Sequence, residues 1–124
     1  MSDTQKRLIH KLKREFGNLI LSALEDDEVI EIMLNDDGSL WIERMGCDME
    51  CIGFPNINPK AFIGTIASYL GTTITVDNPI IECELPIDGS RFEGIIPPIV
   101  ANPIFTIRKK ASKVFALEDY LAYS

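Results

Sequence analysis

Hydrophobic residues recur at steps of three and four near the start of the chain and at steps of two through most of the rest. Leu8, Leu12, Phe16, Leu19, Ile20, Ala23 and Leu24 follow the helical spacing and predict an amphipathic helix over residues 4–24. Asp3 or Thr4 stands where an N-cap oxygen is needed, and Gly17 weakens the middle of the helix by about 1 kcal/mol relative to alanine. After an acidic break at residues 25–28 the period changes. VIEIML, SLWIER and CDMECIG are short and β-branched or alternating, and Asp37-Gly38 supplies the tight turn between the first two. Together they predict an antiparallel meander with Cys47, Met49 and Cys51 on the buried side and Asp48 and Glu50 outside. Trp41 reads as a sheet-packing aromatic.

A second helix opens at Asn58-Pro59, a good cap followed by a residue that needs no amide donor. Phe62, Ile63, Ile66 and Leu70 mark its buried side, Gly71 its C′ position, and it is expected to cover one face of the sheet. In IIECELP, Ile81, Cys83 and Leu85 alternate with Glu82 and Glu84. The turn IDGS leads into RFEGII, with Phe92 and Ile96 on one face and Arg91 on the other. Pro97-Pro98 ends that strand because proline cannot donate to a ladder. IFTIRKK gives a sixth strand with Phe105 and Ile107 inward and Thr106 and Arg108 outward, and residues 117–122 read as a short closing helix. The expectation is an α+β fold: about six strands in a mostly antiparallel, PAS-like sheet, with an N-terminal amphipathic helix and a second helix packed on it. Residues 1–124 form one domain, with the helix at 1–24 and the sheet-containing core at 25–124; a chain of this length buries about two thirds of its unfolded surface.

Charge narrows the partners. The formal net charge of −7 argues against a domain that grips nucleic acid over its whole surface, and no sequence-specific nucleic-acid binding is expected. Cations crowd both ends, Lys6, Arg7, Lys11, Lys13 and Arg14 at one and Arg108, Lys109, Lys110 and Lys113 at the other. The acidic middle opposes them with little besides Arg44. Three cysteines without a secretory signal point to reduced, buried apolar thiols in a cytoplasmic protein. With a single histidine, His10, no zinc set is expected. No apolar run is long enough to span a bilayer; the basic first helix either packs on the core or lies on an anionic membrane surface. There is no phosphate loop of the G-x4-G-K-[ST] kind and no nucleophile beside a histidine base, so no catalytic residue is assigned.

Arg91 and Arg108 are the candidate site. Both fall on outward strand positions, and a guanidinium presents a planar fork of donors that matches phosphate oxygens. Glu82, Glu84 and Glu93 are near enough in sequence to pair with them instead. Residue types alone leave both readings open.

The stretch LPIDGSRFEGIIPPIVANPIFTIRKK, with EIMLNDDGSLWIER before it and VFALEDYL after it, resembles the amino-terminal domain of the TrbB-like conjugal-transfer ATPases. These are secretion or traffic ATPases of type IV secretion, related to type II secretion and type IV pilus motors. The resemblance covers most of residues 25–124. It implies a hexameric P-loop ATPase whose nucleotide lies between this domain and a RecA-like carboxy-terminal domain. Arg91 and Arg108 are then the phosphate-contacting pair, with Lys109 a secondary candidate. It further implies ATP with Mg2+ in the full-length protein and none for the isolated domain. The implied partners are its own RecA-like domain, neighbouring subunits of a homo-hexamer, and the secretion machinery at the cytoplasmic face of the inner membrane. The sequence given stops at Ser124 before any Walker motif, so this chain by itself is expected to be inactive. The alternatives are an autonomous adaptor or sensor that binds a small ligand or peptide, and the equivalent domain of a type II secretion or pilus motor.

Overall fold

The computed structural model describes residues 2–110; the expected helix at 117–122 and the cation at Lys113 lie outside the described residues. In chain order the elements are α1 (Asp3–Glu25), β1 (Val29–Leu34), β2 (Leu40–Arg44), β3 (Glu50–Gly53), α2 (Pro59–Tyr69), β4 (Ile80–Glu84), β5 (Arg91–Ile95) and β6 (Ile104–Arg108). This is the α+β architecture expected. The six strands form one sheet in the order β3-β2-β1-β6-β5-β4, and every neighbouring pair is antiparallel. The last strand therefore sits in the middle and joins a three-stranded meander to a hairpin.

Alternation puts Ile32, Leu34, Leu40, Ile42, Ile81, Cys83, Phe92, Phe105 and Ile107 on one buried face, under the two helices. Phe105 of β6 meets Phe62 of α2 edge-on at 5.3 Å between ring centroids and stacks with Phe92 of β5 at 5.9 Å. Phe16 of α1 meets Phe62 at 4.8 Å, so four rings tie both helices to β5 and β6. Such pairs add about 0.5–1.5 kcal/mol each beyond the area they bury. The helices also bond to each other, the buried Thr65 hydroxyl donating to Glu15 Oε1 at 2.6 Å.

The structure corrects the expected helix in two ways. Its cap is Ser2, not Asp3 or Thr4: Ser2 Oγ accepts from the Gln5 amide at 3.1 Å and Gln5 Oε1 accepts from the Ser2 amide at 3.2 Å. That reciprocal box satisfies two donors at once and leaves Asp3 in the first turn, where its charge favours the helix dipole. The helix is also two segments, because Gly17 adopts φ 77°, ψ 174°, a conformation open to glycine and strained for other residues. Leu12, Phe16, Ile20, Ala23 and Leu24 reach the core from the two segments, while Leu19 is exposed and lies against Gly53. In α2 the Asn58 cap, the Pro59 start and a positive φ at Gly71 are as expected, but Leu70 is exposed at the C-cap; Thr65 and Ala67 fill the buried face with Phe62, Ile63 and Ile66.

The cysteines divide. Cys83 is buried, and desolvation pushes its thiol above the ordinary value. Cys47 and Cys51 are exposed, contrary to the expected inward face of the third strand. A register shift between Leu40 and Trp41 pairs Cys51 with Trp41 on the outer side of an edge strand, and Cys47 lies in the turn before that strand begins.

Two glycines test this packing in opposite directions. A methyl group at Gly94 would lie 2.9 Å from Phe92 Cε1 and 3.1 Å from Ile63 Cγ1, whereas at Gly64 in α2 it would meet nothing within 4 Å. Gly94→Ala is expected to destabilise the domain by about 1–3 kcal/mol. Gly64→Ala should stabilise it by up to about 1 kcal/mol. Urea denaturation of both variants checks the pair, and equal shifts in the same direction would contradict the packing described.

Candidate functional site

Burial of Phe92, Phe105 and Ile107 on the inner face sends their neighbours to the other side of the sheet. Arg91 and Glu93 of β5 and Thr106 and Arg108 of β6 thus share the outer face. Register then arranges them. One row across the strands reads Glu43, Glu31, Arg108, Arg91, Glu84, each residue the Cα partner of the next. The adjacent row reads Trp41, Met33, Thr106, Glu93, Glu82. An open depression of about 390 Å³ lies over these rows, lined by Glu31, Glu82, Arg91, Glu93, Thr106 and Arg108.

The two arginines are brought together as direct cross-strand partners, an arrangement that is repulsive for like charges. Carboxylates offset part of it. Arg91 Nη2 lies 3.3 Å from Glu82 Oε2, with both side chains more than half exposed at 59% and 52%. An exposed pair of this kind contributes between nothing and about 1 kcal/mol. Arg108 forms no ion pair among the described residues, although Glu31 is its register partner on β1. Glu93 is pushed above the ordinary carboxylate value by the hydrogen bond it shares with Glu82, then by partial burial and by the charge of Glu82, with Arg91 pulling the other way.

Lys109 is not part of this cluster. Its position, one residue past Arg108, turns it to the opposite face, where Nζ donates to the carbonyls of Ala23, at 3.4 Å, and Asp26. These are carbonyls at the end of α1 that lack intrahelical partners, so Lys109 closes the helix instead of facing the depression. Its backbone amide donates to Ile30 at 2.8 Å. Burial lowers its pKa, opposed by the charge of Asp26. Asp26 in turn is held below the ordinary carboxylate value by the Glu28 amide and by Arg44, which ion-pairs with both Asp26 and Glu50. Glu31 was not singled out from sequence as a neighbour of Arg108; only the insertion of β6 beside β1 makes it one.

Among the described residues no group of three or more histidine, cysteine or carboxylate side chains is disposed to hold a metal ion. No helix among them is long and apolar enough to cross a membrane. The depression offers two guanidinium forks at adjacent positions, a donor set suited to phosphate oxygens.

No protein-family model matches the chain. It is 46% identical over 116 residues to a probable conjugal transfer protein TrbB of Sinorhizobium fredii (strain NBRC 101917 / NGR234), a match that covers 93% of this chain and 36% of that protein. A conjugal transfer protein TrbB of Rhizobium radiobacter is 46% identical over 118 residues, with the same coverage of 93% and 36%. The chain thus spans little more than a third of the length of these relatives. The fold superimposes on the VirB11 ATPase of the Brucella suis type IV secretion system, solved in complex with sulphate, with a TM-score of 0.84 and 22% identity. That match covers 99% of this chain and 37% of that one.

The raised Glu93 carboxyl gives the site a pH signature. Because its folded pKa lies above the unfolded one, its contribution to stability is fully present below the ordinary carboxylate range and is lost as pH rises through the folded value. Glu93→Gln is therefore expected to raise the Tm by about 1–3 °C near neutral pH and to leave it unchanged near about pH 4. Thermal denaturation monitored by circular dichroism across that range checks it; a gap that widens on acidification would show the sign to be wrong.

Proposed function

We propose that this homologue of TrbB conjugal transfer proteins is the nucleotide-gating and oligomerising domain of a hexameric ATPase that powers conjugal DNA transfer or type IV secretion. The observation that carries the reading is the direct pairing of Arg91 with Arg108 on the outer face of the sheet. Two permanent cations at neighbouring positions repel each other until an anion lies between them, and phosphate oxygens accept from both forks. In the whole protein the anion is the terminal phosphate of ATP, presented by a RecA-like domain that also carries Mg2+ and the Walker motifs. Arg91 and Arg108 neutralise charge that develops on the phosphate oxygens during hydrolysis. An arginine supplied to the nucleotide from elsewhere in a P-loop ATPase is worth about 10³ to 10⁵ in rate. Because the contact forms only when the domains close, the same residues couple nucleotide state to domain position. The assembly acts at the cytoplasmic face of the inner membrane, and the partners of this domain are its own RecA-like domain and neighbouring subunits.

In the full-length protein, Arg91→Ala and Arg108→Ala are each expected to lower ATP turnover by about tenfold or more. Neither should unfold the domain, since both side chains are exposed. Steady-state hydrolysis assays on folded variants decide the matter, and wild-type turnover in both would remove the assigned role.

A further inference from the structure

The depression that holds Arg91 and Arg108 also holds three carboxylates, Glu31, Glu82 and Glu93. With all of them ionised, the five charged residues lining the depression carry one more negative charge than positive. That is a poor resting state for a phosphate site, because an arriving anion meets repulsion as well as the two guanidinium groups. The geometry of Arg91 adds a second fact. Its register partner on β4 is Glu84, yet its guanidinium leans diagonally to Glu82, at 3.3 Å. Glu82 is in turn the register partner of Glu93. Arg91 therefore reaches into the depression and is engaged there by a carboxylate, whose two oxygens offer a guanidinium the same kind of acceptor edge as a phosphate.

We infer that Glu82 is an intramolecular competitor for the anion: in the empty domain it holds Arg91 as a phosphate would, and Arg91 turns to a phosphate only when this ion pair opens. The inference rests on the phosphate-binding reading of the two arginines and names what regulates it. Four carboxylates face Arg91 from the elements around it: Glu82 and Glu84 on β4, Glu93 on its own strand, and Glu31 across Arg108 on β1. Thr106 on β6 is the uncharged member of the lining.

The test uses the chain as it stands and inorganic pyrophosphate as the probe, with affinity read from two-dimensional NMR of backbone amides and arginine Nε–Hε groups. Glu82→Gln removes the competing charge at an exposed, isosteric position and is expected to tighten pyrophosphate binding about two- to fivefold, the range an exposed pair allows. Glu84→Gln removes the same charge from the same strand without touching the ion pair and should give less than half that gain. Equal binding by wild type and Glu82→Gln, including none by either, overturns the inference, as does an equal gain from Glu84→Gln. The double variant Arg91→Ala, Arg108→Ala separates the two readings. If it binds pyrophosphate as well as wild type does, the phosphate reading fails. If it loses binding while Glu82→Gln changes nothing, that reading stands and only the competitor is lost.

Discussion

Phe105 is packed between Phe62 of α2 and Phe92 of β5, and its burial determines more of this molecule than its own area does. Side chains on a strand alternate strictly, so a slip of one residue would carry the whole apolar set of β6 to the solvent side. With Phe105 and Ile107 fully buried, Thr106 and Arg108 have only the outer face left. The same constraint on Phe92 places Arg91 beside Arg108. The pairing of two like charges, unfavourable in itself, is thus held in place by a core that has nothing to do with charge. Gly94 belongs to this arrangement, because its missing side chain is what lets Phe92 and Ile63 approach across that point.

The central position of β6 does the rest. A strand formed by residues near position 105 is inserted between β1 and β5, so Glu31 and Arg91, far apart in sequence, become the two neighbours of Arg108. No local segment contains the site. Its members come from β1, β4, β5 and β6, and they meet only once the meander and the hairpin have been joined. Joining them requires contacts that are distant in sequence, whose loop-closure entropy the buried face must offset.

That difference between local and distant order explains what the sequence could be made to yield. Alternation placed Arg91, Arg108, Phe92 and Phe105 on the correct faces, and the Asp37-Gly38 and Asn58-Pro59 signals marked a real turn and a real helix start. Strand order was not legible, because nothing local says that β6 lies between β1 and β5. The Glu82 ion pair was one of several that sequence proximity allowed; register sets Glu84 opposite Arg91, and only the diagonal reach of the side chain selects Glu82. Gly17 showed as a weak point in the helix; its positive φ, which splits the helix, depends on how both segments reach the same core. Lys109 looked like a companion of Arg108 because it adjoins it, but adjacency on a strand means opposite faces. Cys51 reversed its expected face through a register shift at an edge strand, a local irregularity with no counterpart in the alternation pattern.

The residues Arg108 and Lys109 divide the end of β6 between two tasks. Lys109 reaches the inner side and closes α1 through the carbonyls of Ala23 and Asp26, while Arg108 extends outward over the depression. The backbone that carries Arg108 is therefore bonded to β1 and β5 on either side and anchored through the next residue to a helix end. Freedom at the site lies in the guanidinium ends, which are exposed, and not in the strands that bear them. An anion that draws both arginines together has only side-chain rotamers to order, at roughly 0.5–1.5 kcal/mol each, and no sheet to rearrange. The Cα positions are fixed before any ligand arrives, so the competition between Glu82 and an incoming anion is a contest over the direction of one side chain.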